Sequence, residues 1–261
     1  MNGVISIGTL QMALAYVYVL VLMAIVKKRG IGGEREILWS SFRMTVQLVA
    51  VGYVLGFMFT SPHPLATVSV YALMQVFAVH TILGRLRFRP GRQLKKVIAG
   101  SLVVGTTVST AYFLLAVIGL KPWFDPRYFI PVAGMIVGNS MTGVAVGIER
   151  LHSSIKNRRD LIETALMLGA PPELAARDAA NEAFWAAVLP TINSMLGMGI
   201  VFLPGMMTGQ ILAGVSPLTA IEYQIAVMLA ILGGVTAALY LLVDAGTRTY
   251  FNRRCQLDLA D

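Results

Sequence analysis

The side chains that could do chemistry in this chain are few. Arg43 and Gln47 lie four residues apart, so they share one face of a helix. Asn139 stands beside Gly138 in an otherwise apolar run, where an amide needs a partner or a water-filled path. Asn193, Met195, Met198, Met206, Met207, Thr208 and Gln210 surround Pro204-Gly205. Neither a GxxxxGK[ST] phosphate loop nor an HExxH pair accompanies them, so the sequence offers no means of hydrolysing ATP and no zinc-enzyme signature. No catalytic residue and no metal site is expected. Iron sites usually use carboxylate and imidazole. Here Glu222, Asp244 and His80 fall near the ends of apolar runs, and His63 and His152 fall in connections. The 14 methionines suit gap filling better than ligation. The single cysteine, Cys255, cannot close an internal disulfide.

These residues must be positioned by elements built for lipid. The chain has 261 residues, 56% hydrophobic and 13% charged, against about 25% charged in soluble domains. A bilayer core of about 30 Å needs roughly 20 apolar residues as a helix. Seven such runs occur, at Val4–Val26, Ile37–Phe59, Leu65–Leu83, Val97–Gly119, Tyr128–Ile148, Val188–Ala213 and Tyr223–Val243. The first has no basic lead and no cleavage site, so it reads as a retained span and not a signal peptide. Lipid leaves backbone groups no partner but their own helix, so the expected fold is an all-α polytopic membrane protein, with residues 1–261 one transmembrane domain.

Of the 21 lysines and arginines, 18 fall in alternate connections, at 27–35, 85–96, 150–177 and 248–254. The opposite connections hold Lys121 and Arg127, and Arg43 lies inside a span. That bias places the N-terminus outside and the tail in the cytoplasm, in contact with anionic lipid. It also accounts for the net charge of +8 without a nucleic-acid partner. The fifth run carries Gly134, Gly138, Gly143 and Gly147, two small-xxx-small pairs that favour close helix packing. The sixth is broken: Pro190 to Leu203 gives only about 21 Å of helix before Pro204-Gly205 interrupts it. In transporters such breaks tend to mark the substrate region.

Between the fifth and sixth runs lies a long cytoplasmic insert at about 149–187. It reads as a helix at Ser153–Leu168, stopped by Gly169, then a second helix opened by Pro171 and Pro172 and running towards Pro190. A helical hairpin projecting from the membrane can dock in a groove on a soluble partner. The pattern resembles the coupling loop of ABC-transporter permeases. Glu163, Ala165 and Gly169 match its first half, with Thr164 in place of an alanine, and Val188-Leu189-Pro190 resembles its second half eight residues late. That likeness makes Glu163, Leu168, Gly169, Ala170, Pro171 and Pro172 the expected contact with an ATPase.

The strings FRMTVQLVAVGYVLGFMF (42–59), IPVAGMIVGNSMTGVAVGIERL (130–151), LPTINSMLGMGIVFLPGMMTGQILAG (189–214) and SPLTAIEYQIAVM (216–228) extend the likeness. They resemble the FetB-type iron-export permease family and the plant permeases linked to aluminium tolerance, across roughly residues 37–243. Thr142-Gly143 departs from the Asn-Ala usual after GNSM in that family. The resemblance implies a permease subunit of the cytoplasmic membrane, paired with a second copy of itself. A separate ABC ATPase would use ATP and Mg, and this chain itself would bind no cofactor. The expected cargo is iron, another metal, a chelate or, from the plant members, a nucleotide sugar. The expected pathway residues are Arg43, Gln47, Asn139, Asn193, Met195, Met206, Met207 and Gln210. An ion-coupled secondary carrier is the alternative, but it would need buried carboxylates for coupling, which the spans lack. A retinal protein would need a lysine in the seventh span, and none is present.

Overall fold

Helices account for nearly all of the regular structure. In the computed structural model, which describes residues 8–252 and 254–258, they run α1 (Thr9–Ala15), α2 (Val17–Lys28), α3 (Glu34–Thr60), α4 (Pro64–Arg85), α5 (Arg92–Tyr112), α6 (Pro126–Asn157), α7 (Arg159–Met167), α8 (Pro172–Ala175), α9 (Arg177–Gly197), α10 (Gly205–Leu212) and α11 (Pro217–Arg248). Among the described residues, strand pairing is limited to two isolated bridges, Met198–Phe202 and Phe251–Leu257. Three helices start on the same local chemistry: a capping side chain followed by proline at the first helical position. Asp125 accepts from the Arg127 N–H at 3.0 Å ahead of Pro126. Ser216 accepts from Thr219 N–H at 3.3 Å ahead of Pro217. His63 Nδ1 accepts from Leu65 N–H at 3.3 Å ahead of Pro64.

Among the described residues, six helical stretches are long and apolar enough to cross a membrane: Thr9–Lys28, Glu34–Thr60, Pro64–Arg85, Arg92–Val117, Pro126–Asn157 and Pro217–Arg248. Three expectations change in detail. The first run is split at Tyr16, whose hydroxyl meets the Thr45 hydroxyl of α3; residues 4–7 of the expected span lie outside the described residues. The fourth ends in a π turn over Phe113–Val117, a wider winding no sequence period announces. The expected Val188–Ala213 span is not one helix. It is the end of α9, an irregular segment from Met198 to Pro204, and α10. Pro190 does not open that helix but sits inside it, because tertiary packing on both sides carries α9 through the one missing N–H.

The ends of the helices sort into two sets. Thr67 of α4 donates to the Phe124 carbonyl at 2.9 Å, and Arg127 donates to the Phe59 carbonyl at 3.5 Å, which puts the start of α4, the end of α3 and the start of α6 together. At the opposite end the Arg87 N–H donates to Glu149 at 3.4 Å, Phe88 stacks on His152, and Arg248 faces Glu173 at 3.9 Å. This second end carries the basic connections, apart from Arg253, which lies outside the described residues. His152 is on the last turns of α6 and not in a loop.

The core lies between α5, α6, α9 and α11, where Ile98, Leu102, Ile136, Ile148, Val235, Leu239 and Leu242 are fully buried. Its tightest crossing is glycine on helix. A Cβ at Gly105 of α5 would stand 2.5 Å from the Ala238 nitrogen of α11, and one at Gly234 would stand 2.6 Å from the Ile136 side chain. The expected glycine stripe of α6 divides. Gly143 and Gly147 face Val235 and Leu239 of α11 and Ala187 of α9, Gly134 faces Met74 of α4, and nothing lies near Gly138. Helices α1 to α3 bury almost nothing, with Met58 the buried residue of α3.

Candidate functional site

The hairpin at the basic end is built around one backbone turn. Gly169 has φ +88°, a conformation that costs a residue with Cβ about 1–2 kcal/mol. There its N–H donates to the Leu166 carbonyl at 3.0 Å and the Ala170 N–H donates to the Ala165 carbonyl at 3.0 Å. The two bonds close α7 in a Schellman motif and satisfy carbonyls that a helix end would leave open. Pro171 then caps α8 from an extended conformation, and Pro172 opens it with Glu173 in its first turn. The expected single helix over Ser153–Leu168 is two. α6 continues to Asn157, and Arg158 leaves helical geometry before α7 begins.

What holds this hairpin against the bundle is Glu182 on α9, which the sequence reading did not single out. Arg150, Ser154 and Arg158 recur every four residues and so line one face of α6 down to its end. Glu182 takes all three: the Ser154 hydroxyl donates at 2.7 Å, Arg158 at 3.2 Å, and Arg150 makes a short ion pair. The Ser154 hydrogen bond, then the Arg150 hydrogen bond and the positive charges of Arg150 and Arg158, outweigh desolvation and hold the Glu182 carboxyl below the ordinary glutamate range. Asp178 adds a looser contact to Arg158 at 3.9 Å. The Arg-Ser-Arg stripe at i, i+4 and i+8 was visible in the sequence; the partner that faces it was not, because it lies 24 to 32 residues away.

The tip of the hairpin is apolar and open. Met167 is 80% exposed, Leu168 84% and Leu161 70%, and Leu174 stands beside them at 56%. Glu163 is tied within α7 to Arg159 at 2.7 Å. Gly169, Ala170, Pro171 and Pro172 thus form the turn between two short helices, with a cluster of exposed large side chains around it. Exposed apolar clusters rimmed by polar residues mark sites of association.

The interruption after α9 folds back on itself. Gly199, at φ +86°, donates to the Phe202 carbonyl at 2.9 Å, and the Phe202 ring lies over Gly197. The break therefore begins at Met198, six residues before the Pro204-Gly205 pair that announced it, and ends at Pro204. Gln224 of α11 is buried and donates to Met198 sulfur at 3.9 Å. Among the described residues, the carbonyl oxygens of Gln210 and Gln224 and the Tyr223 hydroxyl are buried without a partner around this break. Met195, Met198 and Met206 pack against the core, Met207 is buried, and Asn193 is exposed.

The other expected pathway residues lie on α3 and α6. Arg43 lies on α3 with its guanidinium 4.9 Å over the Phe77 ring of α4, and Gln47 is exposed one turn on. Asn139 is exposed on α6 and donates to its own Met135 carbonyl at 2.8 Å. A polar group the sequence reading passed over is buried between α4 and α5. Gln75 donates to the Tyr71 hydroxyl and to Thr106, each at 2.7 Å, and its carbonyl oxygen has no partner among the described residues. Among the described residues, no three His, Cys, Asp or Glu side chains gather as a metal-holding group.

Comparison with known proteins agrees with this architecture. The family described as Uncharacterised protein family (UPF0014) matches residues 9–251. A UPF0014 membrane protein of Synechocystis is 37% identical over 236 residues, 90% of each chain. The Arabidopsis thaliana protein named ALUMINUM SENSITIVE 3 is 37% identical over 88% of this chain and 83% of its own. The Escherichia coli protein named probable iron export permease protein FetB is 32% identical over 95% of this chain and 93% of its own. No solved structure matches.

Proposed function

We propose that this chain, which belongs to the UPF0014 family and is a multi-pass membrane protein, is the membrane-spanning subunit of an ABC transporter. It works as a homodimer in the cytoplasmic membrane with two copies of a separate ATPase. The observation that carries the reading is the α7–α8 hairpin: a rigid turn at Gly169 that presents Met167, Leu168 and Leu174 away from the bundle. The basic connections at that end favour the cytoplasmic side, where ATP is. Glu182 and its arginines tie the hairpin base to α6 and α9, so a pull on the tip is transmitted to the bundle instead of bending a loose loop.

The proposed cargo is iron or a small metal-related solute, by likeness to the relative named as an iron export permease. The break at 198–204, with the unpaired amide and hydroxyl groups of Gln210, Tyr223 and Gln224, is the proposed place where cargo exchanges water for protein groups. Nucleotide-dependent closure of the ATPases acts only through states whose energies differ with nucleotide bound. Among the described residues no Asp or Glu is buried, which disfavours coupling to an ion gradient instead.

Purification of the tagged chain from its own cells in mild detergent tests this, beside Leu168→Glu and Gly169→Trp. Leu168 is exposed, so its replacement leaves the fold intact while placing a charge in the proposed contact. A P-loop ATPase recovered with the wild type and lost with Leu168→Glu is the expected result. Its absence from wild-type membranes that retain the chain refutes the reading.

A further inference from the structure

At the basic end, a cavity of about 550 Å³ opens between the α4–α5 connection and the last turns of α6. Glu149, Arg150, His152, Ser153, Lys156 and Asn157 line it, and His152, Ser153, Lys156 and Asn157 stand 3, 4, 7 and 8 residues after Glu149, the spacing of one helix face. Val146, one turn earlier on the same helix, and Phe88, which stacks on His152, add apolar surface to the lining. Arg87 stands opposite, with its backbone N–H on Glu149. The lining therefore joins apolar surface to cationic side chains.

The cations of this cavity differ in how far they are already satisfied. Arg150 shares the Glu182 carboxylate. Among the described residues, neither the Arg87 guanidinium nor the Lys156 ammonium has an ion-pair partner. The lone carboxylate in the lining, Glu149, is engaged by a backbone donor. Plain sidedness of charge asks only that lysine and arginine lie at this end. It does not ask that two unpaired cations face each other across a cavity that also presents a hydroxyl, an amide and an apolar floor.

We propose that this cavity binds a phosphate group, held by Arg87 and Lys156 with Ser153 and Asn157 as hydrogen-bond donors. Arginine suits the phosphate edge as a fork and lysine as a point charge. The phosphate belongs either to an anionic phospholipid, whose glycerol and upper acyl carbons would rest on Val146 and Phe88, or to a free phosphate-bearing solute. Basic pockets between membrane helices recognise headgroups in this way. Because Arg150 belongs to both the cavity and the Glu182 cluster, an occupant would lie one side chain from the base of the hairpin. The proposal stands whether or not an ATPase docks there.

The full-length chain in nanodiscs provides the test, with one arm holding phosphatidylcholine plus a fifth phosphatidylglycerol and the other phosphatidylcholine alone with inorganic pyrophosphate in solution. Affinity is read by native mass spectrometry and by titration with fluorescent phosphatidylglycerol or pyrophosphate. The variants are Arg87→Gln, Lys156→Gln, Ser153→Asp and, as a charge-matched control at the same end, Arg35→Gln. Each cation removed from the cavity should weaken binding on the order of fivefold, Ser153→Asp should abolish it, and Arg35→Gln should leave it unchanged. Binding in the first arm alone identifies the lipid, and binding in the second identifies a free phosphate. Equal weakening in the control, or none in any variant, overturns the proposal, as does binding in neither arm.

Discussion

Replacing Gly105 by alanine separates packing decided by the tertiary structure from packing suggested by a sequence motif. A Cβ at Gly105 would stand 2.5 Å from the Ala238 nitrogen and 2.6 Å from its Cα, both backbone atoms with no rotamer to yield. Carbon contacts settle near 3.5–4.0 Å, so α5 and α11 must part by about 1 Å. Overpacking of this kind costs about 1–3 kcal/mol, and the better helix propensity of alanine returns at most about 1 kcal/mol. The expected net loss is about 1–2 kcal/mol. Gly138→Ala is the matched comparison: it belongs to the more obvious small-xxx-small pair, yet no atom lies within 4 Å of its would-be Cβ. It should be neutral or stabilising by up to about 1 kcal/mol. Unfolding in mixed micelles with rising dodecyl sulfate, followed by fluorescence of the 3 tryptophans, measures both variants against the parent. Gly105→Ala matching or exceeding wild-type stability, or Gly138→Ala losing more than Gly105→Ala, refutes the reasoning.

Glu182→Gln should remove a pH-dependent part of stability. The Ser154 hydroxyl and then Arg150 and Arg158 lower the carboxyl pKa in the folded chain, so its contribution is full above the ordinary value of 4.5 and fades as pH falls through the lowered one. Wild type should exceed the variant by about 1 kcal/mol at neutral pH and converge with it in acid; a difference constant from about pH 7 to pH 3 by the same micelle titration counts against the Glu182 cluster. Gln75→Leu removes two hydrogen bonds worth about 1 kcal/mol each but also an unpartnered buried oxygen costing about 1–3 kcal/mol, so stability should change by less than about 1 kcal/mol. A loss above about 3 kcal/mol in that titration shows the oxygen is satisfied after all.

Much of the helical framework was legible in the residues. Apolar runs of span length must be helical in lipid, and six fall within helices, because that constraint acts on each run alone, though α6 and α11 run well past the apolar bounds, to Asn157 and Arg248. Asp125-Pro126, Ser216-Pro217 and His63-Pro64 set helix starts, and Gly169 set the hairpin turn, since caps and left-handed turns are local backbone chemistry. The glycine stripe of α6 was half legible. Its spacing announced close packing, but only the neighbours could say that Gly143 and Gly147 are covered and Gly138 is not. The same limit hid the Gly105–Ala238 crossing, which no motif marks. The break in α9 was announced by proline and glycine yet begins at Met198, where the Phe202 ring settles on Gly197 and Gln224 reaches the Met198 sulfur. Arg43, Asn139 and the methionines are conspicuous singly in an apolar sequence, but what each one touches, the Phe77 ring, the Met135 carbonyl or the core, is set only by the packing of the helices. Glu182 and the phosphate cavity were invisible for a related reason. Charge and hydrogen-bond energy depend on distances of a few ångströms between helices, and residues 24 or 62 positions apart acquire those distances only when the helices pack.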